Sequence, residues 1–397
     1  MDVLYPFLQQ HHLAVDVCVV TVVVAALHRN YVHRFFTIGA GCYALTLVTG
    51  AGAPTWLWLA LAVVAHAQPA WLSPAHKKQP ETGAIFVTGA DSGMGEATVL
   101  HLCKEASYER VYASVYAGIY DDRSASKLAA ALKAHSPEAA KRCVPVALDV
   151  CSDESVALAA KRVEADLASG ANGAKGLVAV VQCAGMGYNG PGEFIPMDIY
   201  KKQMDVNFFG YVRVVQAMMP HVRAGVKAVG RRGRMVFTGT GGGVLTPVPP
   251  LLTAYMSSKF AVEAFVRSFR VEMQLTEKPI DACIISPGFV KPTMLVENGL
   301  KLNDQMWAAC KARLGTDQAK DEYGPLLDTF IKYSLAEKGT HVSEVAKRIR
   351  LALRAGRPLH GYKVGPDSRA TPVAGLLPVP LQDFVMKAQV YGRQGKL

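Results

Sequence analysis

The sequence predicts an α/β protein: a doubly wound, parallel sheet of about seven strands, of the Rossmann type, preceded by N-terminal transmembrane helices. Three observations predict this fold class. From residue 82 onward, strand-like and helix-like segments alternate, a pattern that favours a parallel sheet covered by helices on both faces. A glycine-rich turn separates the first strand from the helix after it. Upstream lie uncharged runs long enough to cross a membrane.

The first 78 residues are predicted to form a membrane anchor. Residues 13–27 are apolar except for Asp16 and a few small polar residues, and residues 35–65 include no charged side chain. A bilayer core requires roughly 20 apolar residues per helix, so two or three spans fit. A signal peptide would be shorter and would be followed by a cleavage site.

The distribution of basic residues bears on the orientation of this anchor. With three spans, Arg29 and Arg34 lie on the same side as Lys77 and Lys78, and the positive-inside rule places that side in the cytosol. With two spans the two clusters oppose each other, and the rule does not decide. We expect a membrane location, in the endoplasmic reticulum, with the following domain facing the cytosol. The eight cysteines form no C-x-x-C pair and no N-x-S/T site occurs, which suits a reducing compartment.

The net charge of +11 at pH 7 comes from dispersed basic residues. Because they are not interleaved with aromatic residues, we expect no binding to nucleic acid, and attraction to an anionic membrane surface is the better interpretation. No metal site is predicted.

The glycine-rich turn lies within residues 84–95, which read A-I-F-V-T-G-A-D-S-G-M-G. Glycines at a strand-to-helix turn let the backbone approach a pyrophosphate, which the positive N-terminus of the helix then binds. The spacing is G-x-x-x-G-x-G rather than the usual G-x-G-x-x-G. An isolated glycine turn is often only a tight turn, so it indicates a cofactor site only together with further motifs in the chain.

Tyr255 and Lys259 provide such a motif, four residues apart on a predicted helix and therefore on one face of it. A neighbouring ammonium favours the phenolate and lowers the pKa of a tyrosine, which is ordinarily about 10. Such a tyrosine can exchange a proton with a carbonyl or hydroxyl, typically worth about 10²–10⁴ in rate. The alternative is an exposed pair on a solvated helix, against which the glycine turn upstream argues.

With T-G-x3-G-x-G and Y-x3-K in this order, the chain resembles the short-chain dehydrogenase/reductase family, specifically over residues 82–293 and more loosely to its end. The resemblance implies that Tyr255 exchanges a proton with the substrate oxygen and that Lys259 holds the nicotinamide ribose. Asn207, within N-x-x-G, matches the family asparagine that relays protons through a water to the lysine. The alternative is an ordinary polar residue on a packed helix.

The resemblance also implies where the cofactor binds. Asp149 and Val150 match the position of the adenine contact, and P-G-x-x-x-T after the sixth strand matches the segment that holds the nicotinamide amide. The family usually has N-N-A-G where this chain has Gln182-Cys183-Ala184-Gly185, which puts one strand-stabilising hydrogen bond in doubt. The implied cofactor-binding residues are Gly89, Ser92, Gly93, Met94, Gly95, Asp149, Val150, Ala184, Gly185, Tyr255, Lys259, Pro287, Gly288, Val290 and Thr293.

Thr240 takes the place of the family serine that hydrogen-bonds the substrate oxygen. The separation 255 − 240 = 15 is two residues longer than is usual in the family. A threonine hydroxyl donates and accepts as serine does, but its β-branch restricts rotation. Thr238 is the alternative, although its side chain is expected to face the sheet. Without a hydroxyl in place, the enzyme would lose a contact worth about 10²-fold or more.

The choice of cofactor depends on the end of the second strand, where an acid favours NAD and a base favours NADP. Residues 115–118, V-Y-A-G, offer neither, and the glycine turn has no basic residue. The absence of Arg and Lys favours NAD and leaves NADP open.

The chain divides into four predicted regions: a membrane anchor (1–78), a dinucleotide-binding catalytic domain (82–293), substrate-covering helices with a last strand (294–366) and a membrane-proximal tail (367–397). The substrate-covering region contains apolar and aromatic residues such as Trp307 and Tyr323, which suit a lipophilic substrate. The tail is expected to contact the membrane, a second copy in a homodimer, or the substrate entrance.

Within the family, the chain most resembles membrane-bound 17β- and 11β-hydroxysteroid dehydrogenases of type 2 and retinol dehydrogenases. The resemblance implies an NAD(P)-dependent oxidoreductase that interconverts a lipophilic secondary or primary alcohol (a steroid, retinoid or related lipid) and its carbonyl. Residues 149–152 and 258–265 also resemble D-β-hydroxybutyrate dehydrogenase. A small hydroxy-acid dehydrogenase and a non-catalytic dinucleotide-binding membrane protein therefore remain alternatives.

Overall fold

The computed structural model describes residues 78–116, 122–170, 173–241, 247–276, 278–336, 338–375 and 377–393. The hydrophobic spans predicted for the N-terminal anchor lie outside these ranges. Across the described ranges, no helix combines the length and apolarity that a membrane crossing requires.

Seven parallel strands form the central sheet in the order β3-β2-β1-β4-β5-β6-β9, which confirms the predicted Rossmann-type fold. A separate two-stranded sheet joins β7 to β8. The strands are β1 (Ala84–Thr88), β2 (Arg110–Tyr116), β3 (Cys143–Leu148), β4 (Leu177–Gln182), β5 (Gly233–Thr238), β6 (Ile280–Pro287), β7 (Val290–Lys291), β8 (Thr340–His341) and β9 (Gly361–Val364). The order reverses between β1 and β4, and ligands bind such sheets beyond the carboxyl ends of the strands at this switch point.

Helices connect the strands and cover both faces of the sheet. They are α1 (Gly93–Glu105), α2 (Asp122–Lys133), α3 (Pro137–Arg142), α4 (Asp153–Ala168), α5 (Met197–Met204), α6 (Gly210–Val229), α7 (Thr253–Leu275), α8 (Met294–Leu314), α9 (Gln318–Ala336), α10 (Val342–Arg354), α11 (Pro366–Ala374) and α12 (Val379–Arg393). The segment predicted as one helix over 198–222 is divided by a π-helical turn, Asp205–Phe209, and extends to Val229.

The core has one layer on each side of the sheet. On one side α4, α6 and α7 pack against the strands, and on the other side α1, α2 and α10 do so. Every residue of β1 and β4 is buried, as is expected for a parallel sheet covered on both faces. A third apolar cluster lies under α8 and α9; we call it the lid cluster.

The segment before β1 lies at the end of the domain opposite the carboxyl ends of the strands. Gln79 N donates to Arg354 O at 2.7 Å, and Arg231 Nη1 donates to Pro80 O at 2.7 Å. The carboxylate of Glu81 pairs with Arg350. These bonds fix the segment that precedes β1 to the end of α10.

Candidate active site

The predicted site residues all follow carboxyl ends of strands or lie on helices that pass over those ends. The glycine turn follows β1, Asp149 follows β3, Ala184 follows β4, Thr240 follows β5 and the P-G-x-x-x-T segment begins at the end of β6. The topology therefore brings together motifs that are far apart in the sequence.

Two glycines of the turn leave no room for side chains. Gly89 has a positive φ of 64°, and an ideal Cβ there would lie 2.8 Å from the Cα of Ala184. A Cβ on Gly95 would overlap the carbonyl oxygen of Gly89. The backbones of β1, α1 and the β4 exit therefore meet without intervening side chains, a shape that fits a pyrophosphate.

The N-terminus of α1 faces the segment after β6. Gly93 has a φ of 56°, and its ideal Cβ would lie 3.6 Å from Cγ2 of Thr293. Among the described residues, the Ser92 hydroxyl reaches Asp91 Oδ2 at 3.4 Å and does not cap the helix. Met94 packs against the core behind the turn. The N-terminus of α1 therefore lies beside the segment after β6, and helix N-termini of this kind bind anions.

The side chains of Asn207 and Lys259 both lie close to Gly185. An ideal Cβ on this glycine would lie 3.4 Å from Asn207 Oδ1 and 3.7 Å from Lys259 Nζ. The residue that the resemblance places against the cofactor therefore adjoins two of the four predicted catalytic residues.

Asn207 is fully buried in the π-helical turn and makes three hydrogen bonds. Met186 N donates to its Oδ1 at 2.9 Å, and its Nδ2 donates to Met186 O at 2.9 Å and to Ser258 Oγ at 3.0 Å. π-Helical turns are rare and often mark functional sites. Here the turn presents one amide to both the β4 exit and α7.

The pKa of Tyr255 differs from the prediction. Burial raises the pKa of Tyr255 to about 12, and its hydrogen bond with the Thr240 hydroxyl acts in the opposite direction. Lys259 Nζ lies over the phenol ring, 5.9 Å from the centroid, and donates to Thr238 O at 3.1 Å. The phenol is therefore protonated at neutral pH. Thr240 does lie beside Tyr255, despite the longer loop between them.

Lys259 is almost completely buried. Burial lowers the pKa of Lys259 to about 8, with an opposing effect from the Cys183 thiol. Its Nζ also lies 5.5 Å from the centroid of the Tyr211 ring, an arrangement that favours a cation.

The end of β4 is held by hydrogen bonds, although its sequence departs from N-N-A-G. Gln182 Nε2 donates to Tyr211 O at 3.1 Å, and Thr88 Oγ1 accepts from Cys183 N at 3.0 Å and from Ala184 N at 3.1 Å. Thr238, the alternative to Thr240, is buried and donates to Gln182 O at 2.9 Å. Its hydroxyl therefore faces the core rather than the cleft.

Two of the predicted cofactor-binding residues have side chains that make other contacts. Asp149 Oδ1 accepts from Cys151 N at 2.9 Å, so this carboxylate stabilises the turn after β3. Val150 is buried in the core, where an ideal Cβ on Gly210 would lie 2.9 Å from its Cβ. One oxygen of Asp149 and the side chain of Val150 are therefore engaged in the turn and in the core.

The segment after β6 is held by the start of the tail. Asp367 Oδ2 accepts from Phe289 N at 2.6 Å, and its carboxylate fills the space beside Gly288. Gly288 N donates to Val364 O at 2.9 Å, while Pro287 O accepts from Gly241 N. Val290 is buried in β7. These contacts fix the backbone that leads to Thr293.

Sequence reasoning missed several supporting residues. Ser114 Oγ accepts from Gly89 N at 3.2 Å, and Gln203 binds Met186 O at 2.8 Å and Tyr188 N at 2.9 Å. Ser258 could have been found, since it lies between Tyr255 and Lys259 on the same helix. Nothing in the pattern pointed to Asp367, which lies 78 residues from its partner in the chain.

The geometry fits a nicotinamide dinucleotide. The glycine turn and α1 would bind the pyrophosphate, Gly185 and Lys259 would adjoin the nicotinamide ribose, and Thr293 would lie near the nicotinamide. The described ranges contain no group of three or more metal-ligating side chains. A dinucleotide cradle beside a half-buried tyrosine and a buried lysine defines an NAD(P)-dependent oxidoreductase.

The comparisons with known proteins give the family. The model of the short chain dehydrogenase family matches residues 83–302, more than half of the chain. The protein belongs to the short-chain dehydrogenase/reductase family, whose cofactor is NAD or NADP.

Individual relatives are more distant. The chain is 30% identical over 319 residues to estradiol 17-beta-dehydrogenase 2 of Mus musculus, covering 78% of this chain and 75% of that protein. It is 28% identical over 284 residues to mitochondrial D-beta-hydroxybutyrate dehydrogenase of Bos taurus, covering 70% and 76%. A short chain dehydrogenase/reductase from Burkholderia phymatum, solved in complex with NAD, shares the fold with a TM-score of 0.55 at 19% identity, covering 71% of this chain and 90% of that one.

Proposed function

We propose that the protein interconverts a lipophilic secondary or primary alcohol, such as a steroid, retinoid or related lipid, with its carbonyl compound. The observation that carries the proposal is the arrangement at the carboxyl edge of the sheet. The Tyr255 hydroxyl is hydrogen-bonded to Thr240, and Lys259 and Asn207 both adjoin Gly185.

In the proposed mechanism, Tyr255 is the general acid–base and Thr240 polarises the substrate oxygen. A nicotinamide held in this cleft would supply or accept the hydride. During reduction, the protonated phenol gives its proton to the carbonyl oxygen, and during oxidation the deprotonated oxygen removes the hydroxyl proton. Lys259 holds the ribose, and its positive charge stabilises the phenolate that reduction leaves. Asn207 holds Tyr255 and Lys259 in position, and it supports the return of a proton to Tyr255.

The lid cluster supports a lipophilic substrate. It combines buried aliphatic residues with aromatic ones, and Phe194 and Tyr323 pack edge to face with ring centroids 5.7 Å apart. Such surfaces bind apolar ligands by burying their area. The mouse relative, which is named as an estradiol dehydrogenase, agrees with this class of substrate.

NAD is the proposed cofactor. The turn between β1 and α1 contains Asp91 and no Arg or Lys, so it offers no cation for the additional phosphate of NADP. The end of the second strand carries no charged residue, so it favours neither NAD nor NADP.

We also propose that residues 1–78 anchor the protein in the endoplasmic reticulum membrane, with the catalytic domain in the cytosol. The uncharged runs of the sequence support an anchor, and the tail leaves Val379, Leu381 and Phe384 of α12 exposed. Membrane lipids and a second copy of the chain are the partners proposed for these segments. A lipid alcohol that partitions into the bilayer would be concentrated beside the enzyme.

A second candidate is a small hydroxy-acid dehydrogenase, which the bovine hydroxybutyrate relative favours. A substrate of that kind needs a cation for its carboxylate, whereas the lid cluster is apolar. A non-catalytic dinucleotide sensor is the third candidate.

Initial rates with NAD and NADP across steroid, retinoid, sphingoid and short hydroxy-acid alcohols distinguish the three. Turnover of a lipid alcohol with NAD supports the proposal. Turnover restricted to hydroxy acids favours the second candidate, and cofactor-induced thermal stabilisation without any turnover favours the sensor.

A further inference from the structure

We propose that Asn303 is a specificity-determining residue that hydrogen-bonds an oxygen at the end of the substrate remote from the reacting carbon. The inference rests on the proposed function, because it concerns the substrate of the same site. It predicts that the preferred lipid alcohol carries a second hydroxyl or carbonyl group.

The side chain of Asn303 is buried but unsatisfied. It is 4% exposed, and within the described part of the chain neither its Oδ1 nor its Nδ2 has a hydrogen-bond partner. An amide can accept through its oxygen and donate two hydrogens through its nitrogen, and burying one without partners is costly. Other buried unpaired atoms, such as Gln182 Oε1 and His360 Nδ1, belong to side chains that bond through a second atom.

Asn303 lies on the inward face of α8. It shares this face with Met306 and Cys310, three and seven residues later, which are also buried. An ideal Cβ on Gly190 would lie 3.1 Å from Met306 Cε, and Cys310 Sγ donates to Phe194 O at 3.1 Å. The inward face of α8 therefore packs on residues 190–194.

Residues 190–194 in turn contact the start of α7, the catalytic helix that carries Tyr255 and Lys259. Gly190 N donates to Leu251 O at 2.8 Å, and an ideal Cβ on Gly192 would lie 3.0 Å from Thr253 Cγ2. Thr253 begins α7 two residues before Tyr255.

At its other end, α8 begins directly after Thr293, beside Gly93 and the cofactor turn. At 1.5 Å per residue, Asn303 lies roughly 15 Å along the helix from Thr293. An unpaired buried amide at that distance is placed to recognise a polar group on the far end of a long lipid rather than the reacting oxygen.

The test uses Asn303→Leu, which replaces the amide by an apolar side chain that branches at the same carbon. The matched control is Gln305→Leu, which removes an exposed amide from the same helix. The substrates are estradiol, with oxygens at opposite ends, and its 3-deoxy analogue. We expect the wild type to prefer estradiol about tenfold or more in kcat/KM, and Asn303→Leu to lose that preference by weakening estradiol alone. Gln305→Leu should keep it. Equal effects of Asn303→Leu on both substrates, or no preference in the wild type, would overturn the proposal.

Ligand-induced thermal stabilisation in the presence of NADH provides a readout that does not need turnover. If the wild type oxidises no lipid alcohol, the proposed function fails, but the role of Asn303 is still decided by binding. Greater stabilisation by estradiol than by the 3-deoxy analogue, lost in Asn303→Leu, supports it. Equal stabilisation by the two ligands, or none by either, overturns it.

Discussion

Asn207 donates its side-chain amide to Ser258 Oγ at 3.0 Å and thereby joins the π-helical turn to the helix of Tyr255 and Lys259. Ser258 Oγ donates to Tyr255 O at 2.7 Å. The same amide group pairs with both backbone polar groups of Met186, beyond the end of β4. One side chain therefore fixes the β4 exit relative to the catalytic helix.

Replacing Asn207 by Ala is expected to destabilise the protein and to reduce its activity. The change removes the partner of Met186 N, which costs about 1–3 kcal/mol, whereas Met186 O keeps its bond to Gln203 and Ser258 Oγ keeps its bond to Tyr255 O. Urea unfolding measures the loss of stability, and kcat with the best substrate measures the catalytic loss.

Gln203→Ala is the matched control for this variant. Gln203 also bonds the backbone beyond β4, through Met186 O and Tyr188 N, rather than the catalytic helix. We expect a similar loss of stability from it and a much smaller loss of kcat. Equal losses of kcat in the two variants would show that Asn207 matters only for folding.

Thr240→Val is expected to lower kcat/KM by about 10²-fold, because it removes the hydroxyl beside Tyr255 and one contact to the substrate oxygen. Thr240→Ser should retain most of the activity. Thr238→Val, which loses buried bonds to Gln182 and Tyr211, should lower stability and spare kcat/KM. If Thr238→Val were the more damaging variant in kinetics, the assignment of the two threonines would be reversed.

Gly93→Ala is expected to weaken cofactor binding. Both Gly93 and Gly170 have positive φ, 56° and 63°, so alanine at either position costs about 1–2 kcal/mol of stability. Only Gly93 adjoins Thr293, whereas nothing lies within 4 Å of an ideal Cβ on Gly170 in the described structure. Titration of NADH fluorescence should show weaker binding in Gly93→Ala and unchanged binding in Gly170→Ala. Equal affinities of the two variants for NADH would contradict the assignment of Gly93 to the cofactor site.

The buried ammonium of Lys259 makes stability depend on pH. The pKa of Lys259 is lowered to about 8 in the folded state, below the ordinary value of 10.5. Between these two values the unfolded chain binds more protons than the folded one, so the free energy of unfolding rises with pH through this window. From about pH 7.5 to about pH 9.5 the wild type should gain about 2 kcal/mol relative to Lys259→Met. A difference between the two proteins that does not change with pH would contradict the lowered pKa.

Much of the fold could be predicted from local pattern. The strand-to-helix glycine turn and the alternation of strands and helices predict a parallel sheet, because short right-handed connections join parallel strands through helices. The position of Thr240 beside Tyr255 also followed from alignment on β5, since the strand fixes where its exit lies.

The electrostatics of the site could not be predicted in this way. The spacing of Tyr255 and Lys259 indicated a shared helix face but not the depth of burial, which raises the pKa of the tyrosine to about 12. The amide of Asn303 was missed for the same reason. Its unpaired state depends on which face of α8 packs inward and on what surrounds it, and neither is encoded in local spacing.

The central claim, that Tyr255 transfers the proton at a cofactor-filled cleft, is tested most directly by Tyr255→Phe. The measurement pairs kcat/KM for the best lipid alcohol with the Kd for NADH. We predict that kcat/KM falls by about 10² or more, while the Kd for NADH stays within about twofold of the wild type, because the phenol oxygen is not needed to hold the dinucleotide. Unchanged turnover in this variant would contradict the account.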